Sequence, residues 1–319
     1  MWKVVIPMLD PAQMLGQVTW AGGAVAAVMA LAEYGLLLLL VRQGLRRRGP
    51  AAAGRPAPTT DATAPDPRRP ALGVGLALLA GSLAFPFAIA SVQVPLQAAL
   101  ARWAAATLAT ADQYILSIPA VFASGLVQEP AKLLAAMVGM ALAGSLRPGV
   151  AGGEAVQRAV LFGATAGVAF GGIEAAWVLS PAVGALGSVP DGITVGTLSL
   201  AVVERVFAVL FHLATAGLVV YAWSRGVRQG LLALGAMTVV HGMVNYSIVL
   251  LRFGAIGIAA LEAWAAFVAL SLFGILVFLA RRARGRHDET GALTNRGCGP
   301  RASGFVTRGE ETADAKSCP

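Results

Sequence analysis

The chain has 319 residues, of which 57% are hydrophobic and only 13% are charged, and its formal net charge is +8. Soluble domains have roughly a quarter of their residues charged, so this composition excludes an ordinary water-soluble protein. The basic residues lie in loops between apolar segments without interleaved aromatic residues, so the positive charge does not indicate nucleic-acid binding.

The apolar residues form segments of about 20 or more, the length that crosses a ~30 Å hydrocarbon core. Strand-like alternation is absent, so the pattern predicts helices, and the fold class is an all-α polytopic membrane protein. Seven transmembrane helices are predicted near residues 18–41, 73–95, 114–143, 157–180, 201–224, 229–251 and 255–280. We expect Pro130 to kink or split the third span, and the Ala-rich segment 96–112 to lie along the membrane interface.

The remaining sequence suggests four regions. Residues 1–48 lack the basic start and short apolar stretch of a signal peptide, so we expect them to hold a retained anchor helix. Residues 49–71 are a Pro/Ala-rich linker, 72–282 a six-helix membrane core and 283–319 a disordered polar tail. Both cysteines, Cys298 and Cys318, lie in that tail, so neither a disulfide framework nor a cysteine metal site is expected.

The distribution of basic residues predicts the orientation in the membrane. One set of loops holds Arg42, Arg46, Arg47, Arg48, Arg55, Arg68, Arg69, Arg147, Arg158, Arg225, Arg228, Arg281, Arg282, Arg284 and Arg286. The alternate loops hold only Lys3, Arg102 and Arg252. Seven spans with the N-terminus outside and the C-terminus in the cytoplasm satisfy this pattern, and they place the 49–71 linker in the cytoplasm.

Ionisable residues inside the predicted spans point to a functional site. Inserting each of them into a membrane costs roughly 2.5–3.5 kcal/mol, so we expect each to have a partner or a functional role. The polar residues are Glu33, Gln128, Glu129, Lys132, Glu174, Glu204, Arg205, His212, His241, Asn245 and Glu262. We expect Glu33 and Glu262 to be structural and to contact basic groups on neighbouring helices, and the others to form one cluster.

Helical spacing supports that cluster. Glu129 and Lys132 are three residues apart and can pair on one face, while Pro130 would leave Glu129 at a helix start. His241 and Asn245 lie one turn apart. Arg205 and His212 differ by only about 20° around their helix. Counted at ~1.5 Å per residue, the polar groups of the four helices reach the outer-to-middle layer of the membrane.

Four ordered motifs carry a family resemblance. They are QEPAK at 128–132, GGIEA at 171–175, ER followed by FH at 204–212, and HGMVN at 241–245. Over roughly residues 120–250 the chain resembles the glutamic-type intramembrane proteases, the superfamily of CAAX-processing and bacteriocin-processing enzymes, and most of all its PrsW and YhfC branches. Their first motif has two glutamates, and Gln128 occupies the first of these positions here.

The resemblance implies an intramembrane peptidase of a bacterial cell membrane, with membrane-embedded or membrane-anchored protein substrates and no cofactor. It implies that Glu129 activates water, that His212 and His241 orient the water or share protons, and that Asn245 stabilises the oxyanion. Glu174 and Arg205 would support the site, together with Gln128, Lys132 and Glu204.

Three other interpretations stay open at this stage. Gln128 favours a catalytically inactive relative that acts as a scaffold or immunity-type protein. The same Glu and His residues would also suit a proton relay in a transporter, although no internal repeat is evident. Glu129, Glu174, His212 and His241 would suit a zinc protease, although no HExxH sequence occurs.

Overall fold

In a computed structural model of the chain, the described residues are 11–46, 68–144, 153–184 and 195–297. Every element in these ranges is helical. In chain order they are α1 (Pro11–Gly16), α2 (Trp20–Arg46), α3 (Arg68–Phe87), a π-helical segment (Ala88–Gln93), α4 (Val94–Thr107), α5 (Gln113–Leu142), α6 (Gly153–Gly184), α7 (Val195–Arg225), α8 (Val227–Arg252) and α9 (Ile258–Gly297).

Seven helices in the described part of the chain are long and apolar enough to cross a bilayer. They match the positions of the seven predicted apolar helices, with differences at the helix ends. Large apolar side chains such as Leu31, Leu134, Leu232 and Phe267 are exposed on the outer surface of the bundle. In water this surface would be unfavourable, whereas in a bilayer it faces lipid.

Helices α6 and α7 form the centre of the bundle, and their spans are the most buried of the seven. Helix α6 also packs against α2 and α3, while α5 packs against α3 and α8 and α7 packs against α9. The largest apolar cluster joins α2, α6, α7 and α9. The inner faces of α5, α6 and α7 are thereby held close together, and most of the predicted polar residues lie on these faces.

Small residues bring the central helices into close contact. Gly163, Gly167 and Gly171 recur every four residues on α6, and each faces α7. A Cβ at Gly167 would overlap the carbonyl oxygen of His212. This small-xxx-small pattern lets backbones approach where side chains alone provide no hydrophobic driving force in lipid.

The helix boundaries differ from the predicted ones in three places. Helix α5 runs unbroken through Pro130, so Glu129 lies in the middle of a helix and the expectation of a new helix start there is wrong. Segment 96–112 does not begin a separate element, because α4 continues α3 through the π-helical segment, and Arg69–Thr107 forms one 39-residue candidate span. Residues 283–297, expected in the disordered tail, continue α9.

Physical reasons account for these differences. A proline inside a helix removes one hydrogen bond, and packing of α5 on both sides keeps the remaining turns in place. Residues 281–286, where α9 leaves the apolar span, hold four arginines and one alanine, which favour helix. The expectations for residues 1–10, most of the 49–71 linker, Arg147 and the cysteines lie outside the described residues.

Candidate functional site

The ammonium group of Lys132 lies at the centre of the polar cluster and is fully buried. Its Nζ donates to Oε1 of Glu129 at 2.7 Å and to Oγ1 of Thr215 at 2.8 Å, and it lies 3.1 Å from Nδ1 of His212. An ammonium group has three hydrogens and accepts none, so Nδ1 of His212 is the acceptor. All three hydrogens of Lys132 are therefore directed at protein acceptors.

Glu129 receives a second contact through the same oxygen. Nδ1 of His241 lies 2.7 Å from Oε1 of Glu129, and the two residues are 1% and 3% exposed. A carboxylate oxygen that already accepts from Lys132 is an acceptor for the ring as well, so Nδ1 of His241 carries the hydrogen. In the neutral ring this leaves Nε2 of His241 as a proton acceptor, and Nε2 makes no hydrogen bond with the described residues.

Glu174 forms the second acidic centre. Nε2 of His212 lies 2.7 Å from Oε2 of Glu174, and a guanidinium nitrogen of Arg205 lies 3.7 Å from Oε1. Oε2 of Glu174 has no hydrogen bond of regular geometry, so the contact with His212 is close without being well aligned. Arg205 also contacts its neighbour Glu204. His212 consequently bridges Lys132 on one side and Glu174 on the other.

Local sequence places these groups. The i, i+3 spacing of Glu129 and Lys132 sets both on the inner face of α5, and the expected pairing of the two residues is confirmed. Gly125 lets α8 approach α5, since a Cβ there would overlap the carbonyl oxygen of Thr238 and lie 3.1 Å from Cβ of His241. One turn after His241, Nδ2 of Asn245 donates to Oγ of Ser124 at 2.7 Å.

A cavity of about 460 Å³ opens beside this cluster between α7, α8 and α9. Its wall includes Glu174, Glu204, Arg205, His212, His241, Asn245 and Glu262. Glu129, Lys132 and Gln128 are absent from the wall. The hydrogen-bonded pair of Glu129 and His241 thus presents only its imidazole to the cavity, with the carboxylate and Lys132 buried behind it.

Two of the sequence-based placements change. Gln128 does not line the cavity and points toward the π-helical segment, where its Nε2 donates to Oε1 of Gln93 at 2.9 Å. Glu262, expected to lie outside the set, lines the cavity. Glu33 is buried but neither of its oxygens has a hydrogen-bond partner, so the expected contact with a basic residue is not found among the described residues.

Sequence reasoning missed two hydroxyl groups of the network. Thr215 binds the ammonium of Lys132, and Ser124 binds the amide of Asn245. Thr215 lies three residues after His212, and this i, i+3 spacing was the only available signal. No sequence signal pointed to Ser124, because serine is common in membrane helices. Its hydroxyl can bond there to a preceding carbonyl, here that of Val121.

No known family model, no curated protein and no solved structure matches this chain. The resemblance to intramembrane proteases therefore depends on the four motifs alone. In the part of the chain that the structure describes, no three His, Cys, Asp or Glu side chains are grouped so that they could hold a metal ion. The ammonium of Lys132 lies between Glu129 and His212, which disfavours the zinc set considered from the sequence.

The arrangement supplies the elements of acid–base catalysis. His241 has a fixed tautomer and a nitrogen available as a base, and Glu129 can stabilise the imidazolium that forms when it takes a proton. The hydroxyl of Ser124 donates to the carbonyl of Val121, so it accepts from Asn245 and fixes the orientation of that amide. One amide hydrogen of Asn245 remains for a ligand.

Proposed function

We propose that this chain is an intramembrane peptidase that hydrolyses peptide bonds of membrane-embedded or membrane-anchored proteins. The observation that carries the proposal is the cavity inside the bundle, whose wall bears His241 and Asn245 with Glu129 bonded behind the imidazole. An intramembrane cavity that combines a base, a carboxylate and an amide donor supplies the groups that peptide hydrolysis needs.

We assign the roles differently from the family resemblance. Glu129 does not reach the cavity, so it acts through His241 rather than on water directly. Nε2 of His241 takes a proton from water while the oxygen of that water bonds to the carbonyl carbon of the substrate. The imidazolium then gives the proton to the leaving nitrogen as the carbon–nitrogen bond breaks, which yields a carboxyl group and an amine.

Other cavity groups act on the charge that develops. The free amide hydrogen of Asn245 and the guanidinium of Arg205 are donors for the oxyanion of the tetrahedral intermediate. Glu174 faces the same cavity and stabilises the imidazolium electrostatically. His212 lies between Lys132 and Glu174 and contacts both, so it acts as a positioning residue for Glu174.

The alternative of an inactive relative depended on Gln128. Because Gln128 bonds to Gln93 and does not line the cavity, a glutamine at this position removes no group from the cavity. The transporter alternative needs a polar path through the bundle. Among the described residues the hydrogen-bonded network that begins at the cavity ends at Thr215, whose hydroxyl donates to the carbonyl of His212.

Cleavage by purified protein in liposomes tests the proposal. The substrates are a panel of membrane-anchored peptides, and the products are identified by mass spectrometry. We expect cleavage by the wild-type protein and at least ~100-fold slower cleavage by Asn245→Ala, since a lost oxyanion donor typically costs that much. Tyr246→Phe, a control on the same helix that only loses a bond to the carbonyl of Tyr114, should cleave normally. Equal rates for Asn245→Ala and wild type would contradict the assignment.

A further inference from the structure

The composition of the cavity wall indicates what kind of segment it accommodates. Away from the catalytic groups the wall is mainly apolar, with contributions from Leu200, Phe207, Val244, Ile248, Leu251 and Leu261. Its volume of about 460 Å³ lies within the usual range of ligand sites, about 300–1,000 Å³. A short apolar peptide segment matches this wall in both size and polarity.

The charges on the wall do not balance. Glu174, Glu204 and Glu262 contribute three carboxylates, whereas Arg205 contributes the one guanidinium of the lining. Arg205 is already engaged by Glu204 and lies 3.7 Å from Glu174. The lining therefore keeps an excess of negative charge beside its apolar side chains.

Glu262 attracts the guanidinium of Arg205 electrostatically, but that guanidinium is already bound by Glu204. Oε2 of Glu262 is shielded from water, yet it makes no hydrogen bond with the described residues. A shielded acceptor without a donor costs free energy, and a positively charged donor in the cavity would remove that cost. The unsatisfied oxygen and the charge imbalance both indicate a cationic hydrogen-bond donor as the ligand group.

Helix positions give the distance of this group from the reacting bond. Glu262 lies four residues after Ile258, the first residue of α9, whereas His241 lies eleven residues before Arg252, the last residue of α8. At ~1.5 Å per residue, Glu262 is about 10 Å nearer the end of the bundle. An extended peptide covers that distance in about three residues.

We propose that the cavity binds an extended apolar peptide segment carrying a lysine or arginine within about three residues of the bond at His241, with Glu262 binding the cation. This inference rests on the proposed peptidase function for the identity of the reacting bond. The negatively charged wall repels acidic segments and gives neutral ones no ionic contact, so basic apolar segments are the preferred substrates.

The experiment compares three peptides that are identical except for one residue, three positions from the cleaved bond, which is lysine, methionine or glutamate. Their cleavage by the protein in phosphatidylcholine liposomes is measured. In parallel, photo-crosslinkable forms of the same peptides are bound to His241→Ala protein. We expect kcat/KM and crosslinking at least tenfold higher for the lysine peptide than for the methionine peptide. Glu262→Gln should bring this ratio close to one, whereas Glu33→Gln, a matched change outside the cavity wall, should keep the wild-type ratio.

The outcomes separate this inference from the proposed function. Cleavage and crosslinking that are equal for the three peptides would overturn the preference and leave the peptidase function standing. Lysine-selective crosslinking that depends on Glu262, without any cleavage, would support the peptide site and overturn the peptidase function. Loss of lysine selectivity when phosphatidylethanolamine is added would show that a lipid ammonium group occupies the cavity, and would overturn the peptide proposal.

Discussion

Nδ1 of His241 lies 2.7 Å from Oε1 of Glu129, although 112 residues separate them along the chain. The same oxygen accepts from Lys132, so one carboxylate atom joins a fixed imidazole to a buried cation. In the proposed mechanism His241 is the group that meets the substrate, and Glu129 is the residue that orients the imidazole. The predictions below depend on these separate roles of His241 and Glu129.

The Glu129–Lys132 pair should show strong energetic coupling. Lys132→Met leaves the Glu129 carboxylate buried without its cation, which should lower the free energy of unfolding by about 3–5 kcal/mol. Adding Glu129→Gln removes the uncompensated charge, so the double variant should be more stable than Lys132→Met alone. Reversible unfolding in mixed micelles measures all four proteins of this cycle. Additive effects of the two changes would show that the residues do not act as a pair.

Glu129→Gln alone should impair the support that Glu129 gives to His241 without unfolding the protein. Glutamine keeps the size of the side chain but holds no negative charge to stabilise an imidazolium at His241. We expect the variant to insert and fold, and to cleave at least ~100-fold more slowly in kcat. Because Glu129 does not line the cavity, KM should change little. A large rise in KM with unchanged kcat would place Glu129 in substrate binding instead.

Neighbouring glycines on α6 offer a matched pair of substitutions. A Cβ at Gly171 would lie 3.0 Å from the ring of His212, whereas a Cβ at Gly172 would meet only Cβ of Ala30 at 3.6 Å. Gly171→Ala should therefore push His212 away from Glu174 and slow cleavage. Gly172→Ala should be neutral or stabilising by up to ~1 kcal/mol, because alanine favours helix. Cleavage rates and unfolding curves for both variants test this, and similar behaviour of the two would contradict the packing described for His212.

Restoring a glutamate at position 128 should not improve catalysis. Gln128 donates to Oε1 of Gln93, and its own Oε1 is already buried without a partner. Gln128→Glu would set a carboxylate against that acceptor, so we expect a loss of roughly 1–3 kcal/mol in stability and no faster cleavage. Unfolding curves test the expected loss of stability, and cleavage rates measured in parallel test whether the variant is faster. A faster enzyme with unchanged stability would mean that residue 128 reaches the cavity.

The distribution of arginine predicts that residues 42–72 and those after about 281 face the cytoplasm. The natural Cys298 and Cys318 should then react with a membrane-impermeant maleimide only after the cells are opened. Ala255→Cys, in the turn between α8 and α9, should react in intact cells when both natural cysteines are replaced by serine. Labelling of the natural tail cysteines from outside would reverse the orientation.

The sequence was sufficient for the seven spans because the thickness of a bilayer fixes the length of an apolar helix. It was also sufficient for the pairing of Glu129 with Lys132, since helical periodicity alone sets that contact. The direction of Gln128 required knowledge of which helices flank α5, because adjacent residues point about 100° apart. Glu262 was misplaced for a similar reason: its position on the cavity wall depends on how α9 packs against α7, which is not visible in a local pattern.

Cleavage in water enriched in ¹⁸O tests directly whether His241 activates water for peptide hydrolysis. Wild type and His241→Gln are compared in the same liposomes. The account predicts that the wild-type protein places one ¹⁸O atom in the new carboxyl terminus of a membrane-anchored peptide. It predicts that His241→Gln, which lacks the imidazole that takes the proton from water, forms at least ~100-fold less of this product. Equal ¹⁸O incorporation by the two proteins, or no cleavage by the wild type across the peptide panel, would contradict it.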